Sequence, residues 1–277
     1  MIGVSRRHVG RSRSLLAILL AATLSSPRAA GWDGAYERLL FDIRWLFVPA
    51  GVALVEARPR GEARVLLRVE ACSNAALDLF YRVRDLAAVE VLREDGHLRP
   101  LQYRYSQTEG SHRSELVSDF SRAGEVVQHD RLKGRRRAFP VPEDVADMVT
   151  AFFRTRALDL APDAGPWRIP VFDKGKSYLL EIEVLRRERI DTLLGKDTPT
   201  VVIRPRLQTE GIFKRTGDIF IWLTDDARHL PVRMESRVRI GSIVSSLIAI
   251  EREPVPLPAE GLACEALRET RAAQAPR

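Results

Sequence analysis

Cysteine, aromatic residues and long apolar runs are scarce in this chain of 277 residues. Two cysteines are too few for a small domain held together by many disulfides. Aromatic residues make up only 7% of the chain, but hydrophobic residues make up 45% and charged residues 29%, which excludes a disordered or collagen-like chain. No apolar run approaches the roughly 20 residues of a membrane-spanning helix. The composition therefore favours a globular chain with a sizeable core.

Motifs of catalysis and metal binding are also missing. The chain contains no G-x-S-x-G segment and no Walker-type glycine-rich loop. Apart from His8, its histidines are His97, His112, His129 and His229, and they show no H-x-x-x-H or other ligand spacing. We therefore predict no metal, no cofactor and no enzymatic activity.

The positive charge is concentrated at the amino terminus. The net charge is +7, but residues 1–30 hold five arginines and no acid. The remainder holds 39 basic and 37 acidic residues, and this near balance creates no strong global field. We therefore predict no nucleic-acid partner.

Residues 1–30 have the order of regions found in a secretory signal peptide. A positive stretch at 6–13 precedes ten uncharged residues at 15–24, and small residues with Pro27 follow at 25–30. The apolar run is too short to span a bilayer. The sequence predicts export, with cleavage near residues 25–31; a short amphipathic anchor is the alternative.

The exported chain would retain Cys72 and Cys264. An even pair of cysteines in an oxidising compartment is compatible with one disulfide. Two unpaired thiols are the alternative, because sequence alone does not supply the geometry that a bridge needs.

Alternation of apolar and polar residues predicts strands along most of the body. In the clearest stretch, 232–240, Val232 and Met234 share one face while Arg233 and Glu235 share the other. Similar alternation occurs at 41–47, 101–105 and 180–184. Such alternation indicates a sheet with one face packed on the core and the other exposed to solvent, which favours antiparallel pairing.

One amphipathic helix interrupts the strands, and it is predicted at 142–158. Val145, Met148, Val149, Phe152 and Phe153 follow helical spacing. The predicted fold is mainly β: an antiparallel open or half-closed β-barrel of about 12–13 strands, in one sheet or two, with this helix packed on it. Residues 31–251 form the predicted domain, and the proline-rich 252–277 form a loosely held tail.

Candidate ligand contacts come from large side chains in the strongest predicted strands. Trp45, Tyr103, Trp222 and Met234 could line a cavity for an apolar ligand. Filling the core is the alternative role for such residues.

The densest basic patch precedes the predicted helix. It consists of Arg131, Lys133, Arg135, Arg136 and Arg137. Such a cluster could meet anionic headgroups, each cation contributing about 1 kcal/mol near an anionic surface. A solvated loop is the alternative.

Asp225 and Asp226 form the most reaction-like pair in the chain. Paired carboxylates do acid–base chemistry when their pKa values are pushed apart, as a hydrolase would require. The segment Thr224–Arg228 lies between two predicted strands, however, and aspartates favour such turns. A hairpin turn is therefore the preferred interpretation.

Several segments together resemble the DUF3108 family of exported bacterial proteins. They are 47–56, 79–85, 147–156, 173–178, 217–226 and 228–233, which cover most of residues 36–250. The resemblance implies an envelope protein, mostly β, with no assigned activity and no catalytic residues. It places the chain in the periplasm of a Gram-negative bacterium. The outline is also similar to half-barrel carriers of lipids in the bacterial envelope, by fold analogy alone.

Three functions remain open from the sequence. The first is a non-enzymatic envelope protein that shields a lipid or other apolar ligand in the sheet, or assists envelope assembly with a protein partner. The second is a structural or interaction module with a filled core. The third is a hydrolase that uses Asp225 or Asp226. In each case any contact with a membrane would be peripheral.

Overall fold

The computed structural model describes residues 31–209, 212–213, 218–238 and 240–256. The predicted signal peptide, Cys264 and most of the predicted tail lie outside these residues, so the predictions about them stay predictions.

One antiparallel sheet contains all fifteen strands that the described residues form. The strands are β1 (Glu37–Trp45), β2 (Val48–Arg60), β3 (Arg64–Ser73), β4 (Val83–Glu94), β5 (His97–Glu109), β6 (His112–Arg122), β7 (Glu125–Asp130), β8 (Arg135–Pro140), β9 (Trp167–Asp173), β10 (Lys176–Thr192), β11 (Gly195–Thr209), β12 (Ile212–Phe213), β13 (Ile219–Thr224), β14 (Pro231–Arg237) and β15 (Ser242–Glu251). The predicted open antiparallel fold is confirmed, in one sheet and with more strands than expected.

The first and last strands meet in the middle of this sheet. The order is β8-β7-β6-β5-β4-β3-β2-β1-β15-β14-β13-β11-β10-β9, with β12 added beside β11. From the β1–β15 pair, one meander runs outward to β8 and another to β9. Because β8 and β9 are both edge strands, no backbone ladder between them closes the barrel.

The described helices are α1 (Ala75–Asp78) and α2 (Met148–Arg156). The predicted helix at 142–158 therefore starts too early. Asp147 caps α2, because its carboxylate accepts hydrogen bonds from the backbone of Val149 (2.9 Å) and Thr150 (3.0 Å). Just before it, Ala146 is extended and exchanges backbone hydrogen bonds with β9. Within the described ranges, no helix is long and apolar enough to cross a membrane.

Helix α2 fills the space that the sheet encloses. It contacts β3, β4 and β5 on one side and β9 on the other. Since β9 and β5 are far apart along the sheet, the sheet must curve round the helix. Val149 and Phe153 join the main apolar cluster, whereas Ala151 packs with a second cluster formed by β9–β13.

The two edge strands approach each other through side chains. The rings of Phe139 on β8 and Phe172 on β9 have centroids 5.2 Å apart. Beside them, Lys174 donates a hydrogen bond to the Tyr105 hydroxyl (3.0 Å). We call this contact between the edges the seam. It makes the molecule a half-barrel that is nearly closed by packing.

Strand β8 contains most of the predicted basic patch. Arg131 and Lys133 lie in the turn before it, and Arg135, Arg136 and Arg137 lie in the strand, all exposed. The alternative interpretation, a solvated loop, is right about the exposure of these side chains but wrong about the loop, because 135–137 form a strand. Charged side chains on an edge strand discourage pairing with another chain, which explains a strand without apolar alternation.

A buried ion pair ties α2 to the central strand β1. Arg156, the last residue of the helix, donates to the Glu37 carboxylate at 2.6 Å, and the two side chains are 1% and 3% exposed. Arg156 also donates to the carbonyl of His229 (3.2 Å), whose ring donates back to the carbonyl of Arg156 (2.8 Å). Arg252 reaches Glu37 from the other side at 3.3 Å. Four separate chain segments therefore meet at this pair.

Removing Glu37 should destabilise the fold strongly. Glu37→Ala leaves the Arg156 charge buried without a carboxylate, which costs about 3–5 kcal/mol. The matched control is Glu125→Ala, which breaks the exposed pair with Arg122 and should cost about 0–1 kcal/mol. Urea unfolding of both variants measures the difference, and equal small losses would show that the buried pair does not anchor the helix.

An acidic group on β4 gives the stability a pH dependence. Burial and the neighbouring Glu109 carboxylate raise the pKa of Asp85 to about 6, against hydrogen bonds from Gln107 and Thr108. An unfolded aspartate has a pKa near 4. Between these values the unfolded chain has already lost the proton that the folded chain retains. The free energy of unfolding should therefore fall as pH rises through this window.

Asp85→Asn should flatten this fall in the free energy of unfolding, because the asparagine amide is neutral in both the folded and the unfolded chain at every pH in the window. Glu109→Gln should narrow the window by lowering the pKa of Asp85. Asp95→Asn, in an exposed turn, is the control and should leave the wild-type curve unchanged. Urea unfolding at intervals from pH 4 to pH 7 decides this; a wild-type slope in Asp85→Asn would assign the effect to another group.

Candidate functional site

A pocket of about 840 Å³ opens at one end of the half-barrel. Its walls come from residues 31–33, the β4–β5 turn, the last turns of α2, the start of β9 and the β13–β14 turn. Antiparallel strands bring alternate turns to the same end, which is why such distant segments meet here. The volume lies within the range of small-molecule sites.

The floor of this pocket is apolar. Phe153 of α2 meets Trp32 edge to face, with centroids 6.1 Å apart. Leu98, Leu158 and Ile169 complete the surface. The floor can therefore accept a hydrocarbon group.

Arg154 connects the helix to the β4–β5 turn at the pocket wall. Its guanidinium donates to the carbonyl of Leu98 (2.9 and 2.8 Å) and to the carbonyl of Asp144 (3.0 Å). It also pairs with the Asp144 carboxylate at 3.0 Å, which in turn lies 2.9 Å from His97. Burial lowers the pKa of Arg154, against the two acids Asp144 and Asp147. Arg154 is thus a structural clamp with its hydrogen bonds committed to protein groups.

Three further arginines lie at the rim. Arg168 pairs with Glu181 (3.1 Å) and Arg228 pairs with Asp226 (2.7 Å). Arg93 is exposed, and its guanidinium lies 5.8 Å from the Trp32 ring. Within the part of the chain that the structure describes, Arg93 makes no ion pair, and its guanidinium packs on the Trp32 ring and close to Gly34. It is therefore the rim cation best placed to meet an anionic group.

Gly31 allows the amino-terminal segment to close one side of the pocket. Its φ is +102°, and a Cβ there would lie 2.9 Å from the carbonyl oxygen of Arg156. Its N–H donates to the carbonyl of Ala227 at 2.6 Å. Glycine suits this position for two reasons. Residues with a side chain rarely adopt this positive φ, and a Cβ would clash with the end of the helix.

The predicted acidic pair lies in the β13–β14 turn, where Asp226 lines the pocket and Asp225 does not. Asp225 pairs with Arg187 (2.9 Å), and Asp226 accepts hydrogen bonds from Thr224 and Arg228. Burial opposes ionisation of Asp226, but these bonds lower its pKa overall. A lowered pKa favours the carboxylate and opposes a role as general acid. The geometry supports a turn-forming role for the pair.

The four predicted ligand contacts do not form one lining. Tyr103 is buried in the main apolar cluster, and the half-buried Met234 packs against that cluster. Trp222 is buried on the other face of the sheet from Met234, beneath Arg233, whose guanidinium lies 4.9 Å from its ring. Trp45 is 40% exposed at the far end of β1. None of the four is among the residues that line the pocket.

The predicted disulfide is partly described. Cys72 on β3 is buried and disulfide-bonded. Cys264 lies outside the described residues, so the pairing of the two stays a prediction.

Sequence reasoning identified the pocket residues only in part. Asp226 belongs to the predicted acidic pair and Phe153 to the predicted helix, whereas no local pattern singles out Trp32, Arg93 or Arg154 as pocket residues. They come from segments about sixty residues apart in the chain. Among the described residues, no group of three or more His, Cys, Asp or Glu is placed to hold a metal ion.

The fold and pocket define a β-barrel-like protein, an open antiparallel sheet wrapped round one helix. The chain belongs to the family described as protein of unknown function (DUF3108), whose model matches residues 40–248. The resemblance inferred from the sequence is thereby confirmed.

A solved structure is similar in fold. It is the crystal structure of a beta-barrel-like protein of domain of unknown function DUF1849 from Brucella abortus. The likeness covers 80% of this chain and 99% of that one, with a TM-score of 0.51 and 9% sequence identity. At that identity it concerns the fold alone. No curated protein matches this chain.

Removing the Arg154 clamp should loosen the pocket wall. Arg154→Leu leaves the buried carbonyl of Leu98 without its donor, which costs about 1–3 kcal/mol. Arg168→Leu, which breaks a more exposed pair with Glu181, is the control and should cost less than about 1 kcal/mol. Thermal and urea unfolding compare the two; similar losses would show that water replaces the clamp.

Proposed function

We propose that this protein is a non-enzymatic protein of the periplasm that binds an amphiphile, a lipid or fatty acid with an anionic headgroup, in the end pocket. The observation that carries the proposal is the pairing of an apolar floor, Trp32 and Phe153, with the rim cation Arg93, which makes no ion pair among the described residues. A hydrocarbon chain on the floor would leave its headgroup at the rim.

The binding free energy would come mainly from the hydrocarbon. Each buried methylene contributes about 0.8 kcal/mol. The headgroup would orient the ligand, because an arginine makes strong charge-assisted hydrogen bonds to a carboxylate or phosphate. Arg154 would hold the wall in place without contacting the headgroup, since its donors are already engaged.

This binding mode differs from shielding within the concave face of the sheet. That space is occupied by α2 and by the buried core. The ligand would therefore sit at the mouth, between the helix end and the turns.

The filled core also favours a second candidate, a structural or interaction module that assists envelope assembly. In that case the pocket would hold only water, and the turns around it would serve a protein partner. Ligand binding by the isolated protein separates the two.

Dansyl-labelled undecanoic acid is a suitable probe, because its fluorescence rises in an apolar site. Ala157→Trp should block binding, since Ala157 is exposed and lines the pocket. Arg93→Glu should weaken binding by about tenfold or more, because it replaces attraction for the carboxylate by repulsion.

Two controls change the same end of the molecule outside the pocket. Ala123→Trp lies in the exposed β6–β7 turn, and Arg60→Glu lies exposed at the end of β2. Both should bind the probe like the wild type. Equal binding by all five proteins, or none by the wild type, would reject the ligand pocket and leave the interaction module.

A further inference from the structure

The exposed apolar side chains are concentrated at the end of the half-barrel opposite the pocket. Twelve of the fourteen large hydrophobic residues that are exposed in the described chain lie there. Most belong to three turns, at residues 45–48, 79–81 and 238–243, and Leu132 lies in the β7–β8 turn. We call this surface the apolar end. The pocket end holds only Leu193 and Leu194 of the fourteen.

Direct contacts join these three turns into one surface. The Trp45 indole donates to the carbonyl of Ile240 (2.9 Å), which connects the β1–β2 and β14–β15 turns. Asn74 donates from its side chain to the carbonyl of Pro49 (2.6 Å), which connects the start of α1 to β2. The three turns are therefore held side by side, and the patch they form is contiguous.

The most exposed residues lie on protruding turns. Phe47 is 86% exposed and Phe80 is 87% exposed. Aromatic side chains this exposed gain nothing from the fold of their own chain. Because Phe47 and Phe80 project from the ends of strands, they can insert among mobile lipid chains more readily than they can fit the groove of a rigid protein.

The turns that carry the exposed apolar side chains hold mostly positive charges, although Asp130 and the exposed Asp218 flank them. Within 44–50, 74–84, 131–137 and 237–243, which cover these turns and the start of the edge strand β8, the only acid is Asp78. Asp78 pairs with Arg84 at 2.6 Å. The pocket end, by contrast, mixes arginines with Asp33, Asp144 and Asp226.

We propose that the apolar end docks this protein on an anionic lipid bilayer. Phe47 and Phe80 enter the boundary between headgroups and acyl chains, Trp45 lies at headgroup depth, and the basic side chains of β8 contact lipid phosphates. Exposed aromatic and aliphatic groups beside a cationic surface are the combination that peripheral membrane binding requires. The pocket then faces away from the membrane. The proposal does not depend on whether that pocket binds a ligand.

Tryptophan fluorescence can report which end touches the membrane. The chain has four tryptophans: Trp45 lies at the apolar end, Trp32 and Trp167 lie at the pocket end, and Trp222 is buried. Vesicles of equal parts phosphatidylglycerol and phosphatidylcholine with brominated acyl chains should quench Trp45. Trp45→Phe should abolish this quenching, and Trp167→Phe should leave it unchanged.

The full chain suits this assay because the position of the quenched residue is the readout. If the apolar segment at 15–24 alone held the protein on the vesicle, Trp32 would be the residue nearest the bilayer. Quenching that persists in Trp45→Phe but disappears in Trp32→Phe would overturn the proposal.

Partitioning onto vesicles tests the two contributions separately. Phe47→Ser and Phe80→Ser should each weaken vesicle binding by about tenfold or more, from the loss of apolar burial. Arg135→Glu should reduce binding to the anionic vesicles by about fivefold or more, and should not change the weak binding to pure phosphatidylcholine. Leu193→Ser with Leu194→Ser is the matched control and should bind like the wild type.

A second copy of the chain could also occupy an apolar surface. Sedimentation of the same variants tests for such a dimer. If Phe47→Ser and Phe80→Ser convert a dimer into a monomer while vesicle binding stays at the wild-type level, the surface is a dimer interface and the bilayer proposal is wrong. If the serine variants lose vesicle binding and the oligomeric state does not change, the proposal stands.

Discussion

The contact between Glu37 and Arg156 is the constraint on which the rest of the molecule depends. Glu37 lies on the central strand of the sheet, and Arg156 is the last residue of the helix that the sheet surrounds. A buried ion pair is tolerated only when its hydrogen bonds are complete. Here the carbonyl of His229 and the side chain of Arg252 complete them. The pair therefore positions the helix, the β13–β14 turn and the end of β15 together.

The position of the helix explains why the pocket is at the mouth. Phe153 and Val149 occupy the middle of the enclosed space with the side chains of β1, β4 and β9. Beyond Arg156 the helix ends, and the space it no longer fills is bounded by turns. A pocket at a helix end has a fixed apolar floor and a polar rim. At the opposite end of the strands, turns held side by side expose a contiguous set of apolar side chains.

Alternation predicted most strands and the antiparallel class, because one face of each strand is packed and the other is wet. It missed β8, an edge strand whose residues Arg135 to Arg137 need no buried face. The helix start predicted from spacing was also wrong, since Val145 fits the helical pattern but the next residue, Ala146, is held extended by β9. A local pattern contains no information about such a partner.

Local patterns could not predict most of the candidate site either, because its residues are brought together by partners that are distant in the sequence. Met234 and Trp222 both occupy apolar positions in predicted strands. The register between β13 and β14 nevertheless puts their side chains on opposite faces of the sheet. The pocket joins segments from residue 31 to residue 228, and only the topology brings them together. The family resemblance was visible in the sequence because it depends on the order of several segments along the chain.

The seam between β8 and β9 has a consequence for the size of the space inside. In a closed barrel the number of strands and their shear fix the radius, and any expansion breaks backbone hydrogen bonds. Here the edges meet through the rings of Phe139 and Phe172 and the hydrogen bond from Lys174 to Tyr105, so their separation costs side-chain contacts and breaks no backbone ladder between β8 and β9. The circumference of this barrel is therefore adjustable. Its lumen can widen along one line while every ladder elsewhere in the sheet stays intact.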